Sequence, residues 1–590
     1  MADSAPRTLT ELFDRSVRKY PDRPAVTDGT QSLTYAQLDR EAGIVAASLR
    51  RHGVGREDRV GVYLSRSTGL FAGILGALKA GAVYVAVDLR YPDARRDFML
   101  ESSGAKVVLT DRHTRDRLGE LAITTVDVDE PAESGEAADA EVRPGDAASL
   151  LFTSGSSGEP KGIVLEHRNL VSFAENPALP ALLPEDRVGQ VSSVSFDAFH
   201  FEMWCALAAG ARTVVLPPVP ELLAGDFQRQ MKHYGITAML VPTMVVNHVV
   251  REDRDAFSSL RILATGGDVL TPAACRALLG GRFKGELYNL YGPAEITTAC
   301  TSHRVSAVDA DSEAIPIGRP LRDVSLRILS PELQPVADGA VGELYVGGPG
   351  VARGYFGRDD LTAERFATES VDGREVRMYR TGDLVRRRED GTLLFVGRAD
   401  GQVKIRGYRI EPGEVERSLM RFAEVHDAIV LPAGSGDDRR LVAFVVVEES
   451  LGVKDLRHRA EAHLPDFMVP AKFIVRPEIP ATTHGKRDMD ALRELLADHL
   501  RQEQAYAAPE TGTEKYLAEL WEELLSAEKI GRNAEFFELG GHSLLAFRMH
   551  HRICGDLGAE LEFPAVLAHP VLKDLALVID TAPQREAKAS

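Results

Sequence analysis

Apolar and polar positions along this chain follow two periods, and they alternate. Between residues 7 and 145, helical spacing of three to four residues is interleaved with short β-branched runs. TLTELFDRSVRKYPDRPAV predicts a first helix capped by Thr8 or Thr10. LTYAQLDREAGIVAASLRRHGV gathers its apolar residues on one helical face and stops at Gly53. RVGVYLS and AKVVLTD read as strands, with a helix over Gly69–Lys79 between them. Strands alternating with helices predict a parallel sheet in an α/β layer fold. The rhythm repeats from Arg187 to Arg304. There VSSVSFDAFHFEMWCALAAGARTVVL reads as strand, loop, helix and strand, and ITAMLVPT, LRILATGGD and GELYNLYGPAE each end an apolar strand on polar residues or glycine. Ligands of open α/β sheets sit at the carboxyl ends of the strands, so Asp197, Thr265, Gly266, Asn289, Tyr291 and Glu295 are expected to face one crevice.

From about 325 to 395 the pattern shifts to short strands with glycine turns, SLRIL, GELYVGG and GTLLFVG, which predict a smaller β-rich, barrel-like subdomain. Past GRADGQVKIRGYRIEPGEVE, the strands AEVHDAIVL, RLVAFVVVEE and KFIVRPEIP are separated by helices, an α+β unit. The expected divisions are a core over 1–399, the α+β unit over 400–495, a polar linker over 496–511, an all-helical unit over 512–580 and a tail over 581–590.

Composition narrows the function. The 590 residues allow three to five domains, and 70 basic against 88 acidic residues leave a net charge of −18, the wrong sign for a nucleic-acid binder. The four cysteines have no paired spacing, so neither zinc nor a disulfide framework is expected, and a reducing cytoplasm fits. The start has no apolar signal core. GLFAGILGALKAGAVYVAVDL is split by Lys79 and nearly ended by Asp88, and reads as helix, turn and strand, not as a membrane span.

One stretch carries clear chemistry. After the strand ending AASL comes LFTSGSSGEPKG, in which Thr153, Ser154, Ser156 and Ser157 alternate with Gly155 and Gly158, closed by Pro160, Lys161 and Gly162. Glycines let backbone N–H groups converge on an anion, hydroxyls add donors and Lys161 adds charge, so the loop is expected to grip phosphates. It is not the Walker loop, which needs G-x-x-x-x-G-K-[ST]. A Ser/Gly linker is disfavoured because IVLEHRNLV resumes directly.

LFTSGSSGEPKG, NLYGPAE, GELYVGGPGVARGY, YRTGDL, GRADGQVKIRGYRIEPGEVE and HGKRD occur in that order, with LKAGAVYVAVDLRYP upstream and FFELGGHSLL downstream. The chain resembles the adenylation domains of nonribosomal peptide synthetases, within the adenylate-forming superfamily, followed by a thiolation (peptidyl carrier) domain. The resemblance implies an adenylate-forming core, a mobile small C-terminal subdomain and a four-helix carrier. It implies ATP, Mg²⁺ and 4′-phosphopantetheine as cofactors. The loop's Thr153, Ser154, Gly155, Ser156, Ser157, Gly158 and Lys161 would hold the β- and γ-phosphates, and Glu295 would bind Mg²⁺. Tyr291, with Gly292 beside it, would stack on adenine, Asn289 would bond its edge, and Asp383 and Arg398 would hold the ribose. Lys486 would bridge the substrate carboxylate and the α-phosphate. Ser543 would carry 4′-phosphopantetheine. Asp400 would be the hinge between poses, and Lys404 would line the pantetheine tunnel in the second pose. G-x-S at Ser543 is no nucleophile elbow, because Leu545 stands at the second glycine position.

Asp197 matches the family position that clamps an α-ammonium. The remaining pocket positions carried over are Ala198, Phe201, Leu240, Leu263, Thr265, Gly266, Leu290, Thr298 and Ala299. The lining has no charge besides Asp197, which predicts a neutral, largely hydrophobic amino acid, branched aliphatics favoured; the two threonines leave a hydrogen-bonded polar group as the alternative. The leading expectation is a free-standing adenylation–thiolation didomain. An acyl-CoA-ligase-like enzyme using CoA, and an inactive nucleotide-binding scaffold, are the competing readings. Expected partners are the amino acid, a phosphopantetheinyl transferase and a downstream condensation domain or tailoring enzyme; need for a small MbtH-like activator protein is left open. No nucleic-acid or membrane partner is expected.

Overall fold

The computed structural model describes residues 6–583, apart from 120, 130–139, 156–158, 225, 372–373, 400–401, 406–407, 435–438, 449, 481–486, 503–506, 526, 528, 538, 540 and 542. The first helix, Leu9–Lys19, is capped by Thr8, whose hydroxyl accepts the Glu11 N–H. The second, Tyr35–Arg51, starts in a reciprocal capping box between Thr34 and Gln37. Its buried face, which includes Tyr35, Leu38, Ala42, Val45 and Leu49, packs on the helix Thr68–Lys79. Close approach is possible because Gly76 lacks a side chain: a Cβ there would lie 2.6 Å from Val45 Cβ. The helix Thr68–Lys79 is buried on every side, which accounts for its membrane-like hydropathy. Lys79, buried at its end, is held by Asp39 at 3.0 Å and Asp14 at 3.5 Å. Among the described residues no helix is long and apolar enough to cross a membrane.

Two large mixed sheets carry the first unit. One orders its strands Thr301–Arg304, Glu286–Tyr291, Ile262–Gly266, Ala238–Pro242, Arg187–Gln190, Arg212–Val215 and Pro24–Thr27, with a short edge strand at each end. From Glu286–Tyr291 to Pro24–Thr27 all neighbours run parallel. The other sheet has Val107–Thr110, Arg59–Val62, Val83–Ala86 and Ala147–Thr153 in parallel, and then Lys161–Glu166 antiparallel. The expected strand VSSV is displaced. The strand is Arg187–Gln190, and it stops because the buried Glu202 carboxylate takes the N–H groups of Val191 and Ser192 at 3.1 and 3.0 Å, drawing the backbone out of the ladder. The β-rich expectation for 325–395 corresponds to a five-stranded antiparallel sheet built around the 14-residue strand Arg374–Arg387.

The chain divides into two compact units, and the first ends at Arg409, beyond the expected boundary at 399. Residues 403–405 and 408–409 stay with the first unit because Tyr408 packs edge-on against Phe196 and Lys404 lies over the Tyr291 ring. In the second unit, Val425–Ala433, Arg440–Val447 and Lys472–Val475 form a sheet. The helix Met489–Gln502 buries Leu492 and Leu496 in a cluster with Ile429, Val442, Phe444 and Ile474. This corrects the linker expected over 496–511 for residues 496–502, which continue a helix whose apolar face is buried. Four helices follow, Gly512–Leu525, Ser543–Asp556, Phe563–Ala568 and Leu572–Thr581, with Trp521, Phe536, Met549, Ile553 and Leu575 at their centre. Leu492→Ala is expected to cost the second unit about 2–5 kcal/mol, read as faster hydrogen exchange in 425–475 with 59–110 unchanged.

Candidate active site

Thr153 and Lys161 face each other across the antiparallel pair Ala147–Thr153 and Lys161–Glu166, so the Ser/Gly loop is pinned at its base. A Cβ on Gly155 would sit 2.1 Å from the Glu159 carbonyl oxygen, so the turn admits only glycine. The Thr153 hydroxyl is buried and has no hydrogen-bond partner among the described residues, as expected of a donor waiting for an acceptor. Ser154 donates 2.6 Å to the carbonyl of Arg409. Ser156, Ser157 and Gly158 lie outside the described residues, as do Asp400, Lys486 and the side chain of Ser543.

Glu295 is fully buried on a one-turn 3₁₀ helix just beyond the strand Glu286–Tyr291. One carboxylate oxygen accepts the Tyr355 hydroxyl at 2.7 Å and lies 3.5 Å from Lys161 Nζ. The other accepts Arg409 Nη1 at 3.0 Å. Burial alone would raise its pKa, but the charges of Arg409 and Lys161 and the Tyr355 hydrogen bond hold it well below the usual carboxylate range. Tyr355 arrives because Gly354–Tyr355 pairs with Ile163 and Val164, next to Lys161. A buried, ionised carboxylate facing only cations and a hydroxyl fits a divalent cation by its donor chemistry.

Asp383 and Arg398 stand opposite one another across two antiparallel strands, and Arg398 Nη1 donates 2.5 Å to Asp383 Oδ1. The Tyr291 hydroxyl donates 2.5 Å to the other oxygen. The structure thus joins Tyr291, Asp383 and Arg398 in one buried network. Lys404 Nζ lies 5.7 Å from the Tyr291 ring centre. Asn289 is buried with its amide N–H donated to the Pro316 carbonyl at 2.9 Å. Gly292 is needed because a Cβ would lie 2.6 Å from Ala299 Cα.

Asp197 is half-buried ahead of a π-helical turn, Phe201–Cys205. Burial pushes its carboxyl up to about 7; Glu295 adds to this, while the Ala198 N–H and Lys404 oppose it. The Thr298 hydroxyl donates 2.8 Å to the Asp197 carbonyl and lies 3.1 Å from His200 Nδ1. Thr297 and Thr298 both have left-handed φ, +61° and +69°, a strained state for β-branched residues, and the Thr297 hydroxyl is tied to the Gly350 carbonyl at 2.8 Å.

Strand alternation divides the expected pocket residues between two sheet faces. Leu240 is level with Ala264, and Gly266 with Leu290, so these four share one face. Leu240, Ala264 and Leu290 cluster with Phe201 and Ala299, and Ala198 packs alongside. Leu263 and Thr265 point to the other face, which they share with Asn289 and Tyr291, and there the Thr265 hydroxyl donates 2.8 Å to the Val241 carbonyl. A Cβ on Gly266 would meet the Leu290 carbonyl oxygen at 2.6 Å.

The family model described as AMP-binding enzyme matches residues 13–356. The chain belongs to the AMP-binding enzyme family. The family's C-terminal domain matches 414–486 and a phosphopantetheine attachment site matches 515–579. Malpibaldin synthetase of Mortierella alpina is 37% identical over 97% of this chain, and phosphinothricin tripeptide synthetase PhsB of Streptomyces viridochromogenes is 39% identical over 98%. The chain spans 10% and 50% of these two relatives' lengths. A solved holo nonribosomal peptide synthetase protein containing adenylation and PCP domains superposes with a TM-score of 0.84 at 28% identity, covering 98% of this chain and 97% of that one. The AMP-binding core, its C-terminal domain and the carrier helices thus stand in the order of a nonribosomal peptide synthetase adenylation–carrier pair, an adenylating ligase type that uses ATP and Mg²⁺ with 4′-phosphopantetheine on the carrier.

Within this AMP-binding enzyme, sequence reasoning missed Tyr355, Arg409 and Glu202. Tyr355 closes GELYVGGPGVARGY and Arg409 closes KIRGYR, both inside quoted motifs, so the signal was present without a partner to give it meaning. Tyr355→Phe would leave a Glu295 oxygen without its donor; a loss of about 1.5–3 kcal/mol is expected, measured by urea unfolding.

Proposed function

We propose that this chain activates a neutral, apolar α-amino acid as its adenylate and transfers it to 4′-phosphopantetheine on Ser543. The observation that carries the substrate reading is an apolar wall of Ala198, Phe201, Leu240, Ala264, Leu290 and Ala299 beside the single carboxylate of Asp197. The threonine alternative is the weaker reading, since the Thr265 hydroxyl is bonded to the Val241 carbonyl and that of Thr298 to the Asp197 carbonyl. A charged substrate side chain would find no counter-charge there. The acyl-CoA reading is disfavoured by Asp197 and by the carrier helices.

In this reading Asp197 takes the substrate ammonium and Lys486 its carboxylate. The carboxylate attacks the α-phosphate and pyrophosphate leaves, a step that needs positioning and charge neutralisation. Lys161, Thr153 and the loop hydroxyls hold the departing phosphates, and Asp383 with Arg398 fixes the ribose. Glu295 would hold Mg²⁺, which supplies charge at the phosphates. Ser543 would hold 4′-phosphopantetheine, which supplies the thiol acceptor. Asp400 is the proposed hinge between the two steps, and Asp400→Pro is expected to spare adenylation and abolish thioester formation. A phosphopantetheinyl transferase and a downstream condensation domain or tailoring enzyme are the proposed partners, in the cytoplasm.

Amino-acid-dependent pyrophosphate exchange tests the reading: exchange with branched aliphatics is expected, and none with any amino acid would reject it. Intact mass after a phosphopantetheinyl transferase plus CoA is expected to rise for the wild type and stay fixed for Ser543→Ala. Because Asp197 must ionise to bind an ammonium, kcat/KM for the amino acid is expected to climb as pH rises through about 7 and then level off. Asp197→Asn should lower it and flatten that limb. Ala264→Val should change the preference between small and large aliphatic amino acids about tenfold.

A further inference from the structure

Arg409 has no part in the chemistry assigned above, yet it occupies the centre of the site. Its guanidinium donates 3.0 Å to Glu295 and 3.4 Å to the Tyr379 hydroxyl, and its Nε is bonded to Gln402. Its own carbonyl accepts the hydroxyl of Ser154, a phosphate-loop donor, at 2.6 Å. One residue thus takes both a carboxylate oxygen of the proposed metal ligand and a donor of the proposed phosphate loop.

Mg²⁺ needs a carboxylate oxygen at about 2.0–2.1 Å in near-octahedral surroundings. A guanidinium already seated on that oxygen and a metal ion cannot both use it. A fully buried carboxylate cannot be left without positive charge either, since an uncompensated buried charge is strongly destabilising. Lys161, at 3.5 Å on the other oxygen, is too distant to replace a direct contact.

We propose that Arg409 is a protein-borne cation standing in for the metal on Glu295, so that the Arg409–Glu295 contact and binding of Mg²⁺-ATP exclude one another. The inference rests on Glu295 being the metal ligand. Two contacts break together when the nucleotide enters: Glu295 exchanges guanidinium for metal, and Ser154 exchanges a carbonyl for a phosphate oxygen. Coupling of this kind is reciprocal, so whatever Arg409 costs nucleotide binding, the nucleotide costs the Arg409 contact.

Calorimetric titration of Mg²⁺-ATP into the full-length protein, without amino acid, tests this. Arg409→Gln is expected to bind Mg²⁺-ATP on the order of tenfold more tightly than wild type, and Arg409→Lys, which keeps charge but loses reach, to fall between them. ATP with excess chelator should show a much smaller gain, because no metal then claims Glu295. Unchanged or weaker Mg²⁺-ATP affinity in both variants would overturn the proposal and make Arg409 a phosphate contact or a bystander. Glu295→Gln separates the two claims: if Mg²⁺ dependence of ATP binding survives that change, the metal reading itself is wrong.

Discussion

A fully buried carboxylate must be met by positive charge, and around Glu295 the fold assembles two cations and two hydroxyls from four separate stretches of chain. Lys161 comes from the far side of the phosphate loop and Arg409 from the end of the first unit. Tyr355 comes from a two-residue strand pairing beside Lys161, and Tyr379 stands behind it within hydrogen-bond reach of both Tyr355 and Arg409. No one of these stretches places its group without the others. The mixed sheet fixes Lys161 and Tyr355 on neighbouring strands, while the parallel sheet delivers Glu295 just past a strand end. The electrostatic requirement of one residue therefore ties together elements that are far apart in sequence.

The same economy governs the amino-acid side of the site. Glu202 interrupts a strand by taking its next N–H groups, and the freed backbone becomes the loop that carries Asp197. The Ser192 hydroxyl also donates to Glu202 at 2.9 Å, so the start of that loop is held by a side chain that never faces the crevice. Thr298 then anchors the loop from the opposite direction at the cost of a left-handed backbone. Position and strain are exchanged: the two threonines spend favourable dihedral geometry on hydrogen bonds that hold the pocket lip.

Much of this was legible in the sequence. Period and turn chemistry placed the helices Leu9–Lys19, Tyr35–Arg51 and Thr68–Lys79, the strand that leads into the Ser/Gly loop and the helical character of 512–580; the division of that last unit into four helices came from the resemblance. Ordered motifs brought Asp383 to Arg398 and Glu295 to Lys161 before any geometry was known. The failures have specific causes. Val191–Val194 has strand composition, but a buried Glu202 out-competes the ladder for its N–H groups. Residues 496–502 read as linker because a helix face turned to solvent has linker composition. That the expected pocket residues divide between two faces was also hidden, because a shift of one position is invisible in a string of letters, whereas in a sheet it moves a side chain to the other face.

That alternation has a bearing on descent. In the strands Ala238–Pro242, Ile262–Gly266 and Glu286–Tyr291, residues 240, 264 and 290 face the apolar cluster of Phe201 and Ala299, while 263, 265, 289 and 291 face the other side. Mutational space is therefore split by parity. Changes at 240, 264 and 290 alter the apolar wall proposed for the amino-acid side chain, and leave untouched the groups proposed for the nucleotide at 289 and 291. Two recognition tasks are inherited on opposite faces of the same strands, and one can drift while the other stands still.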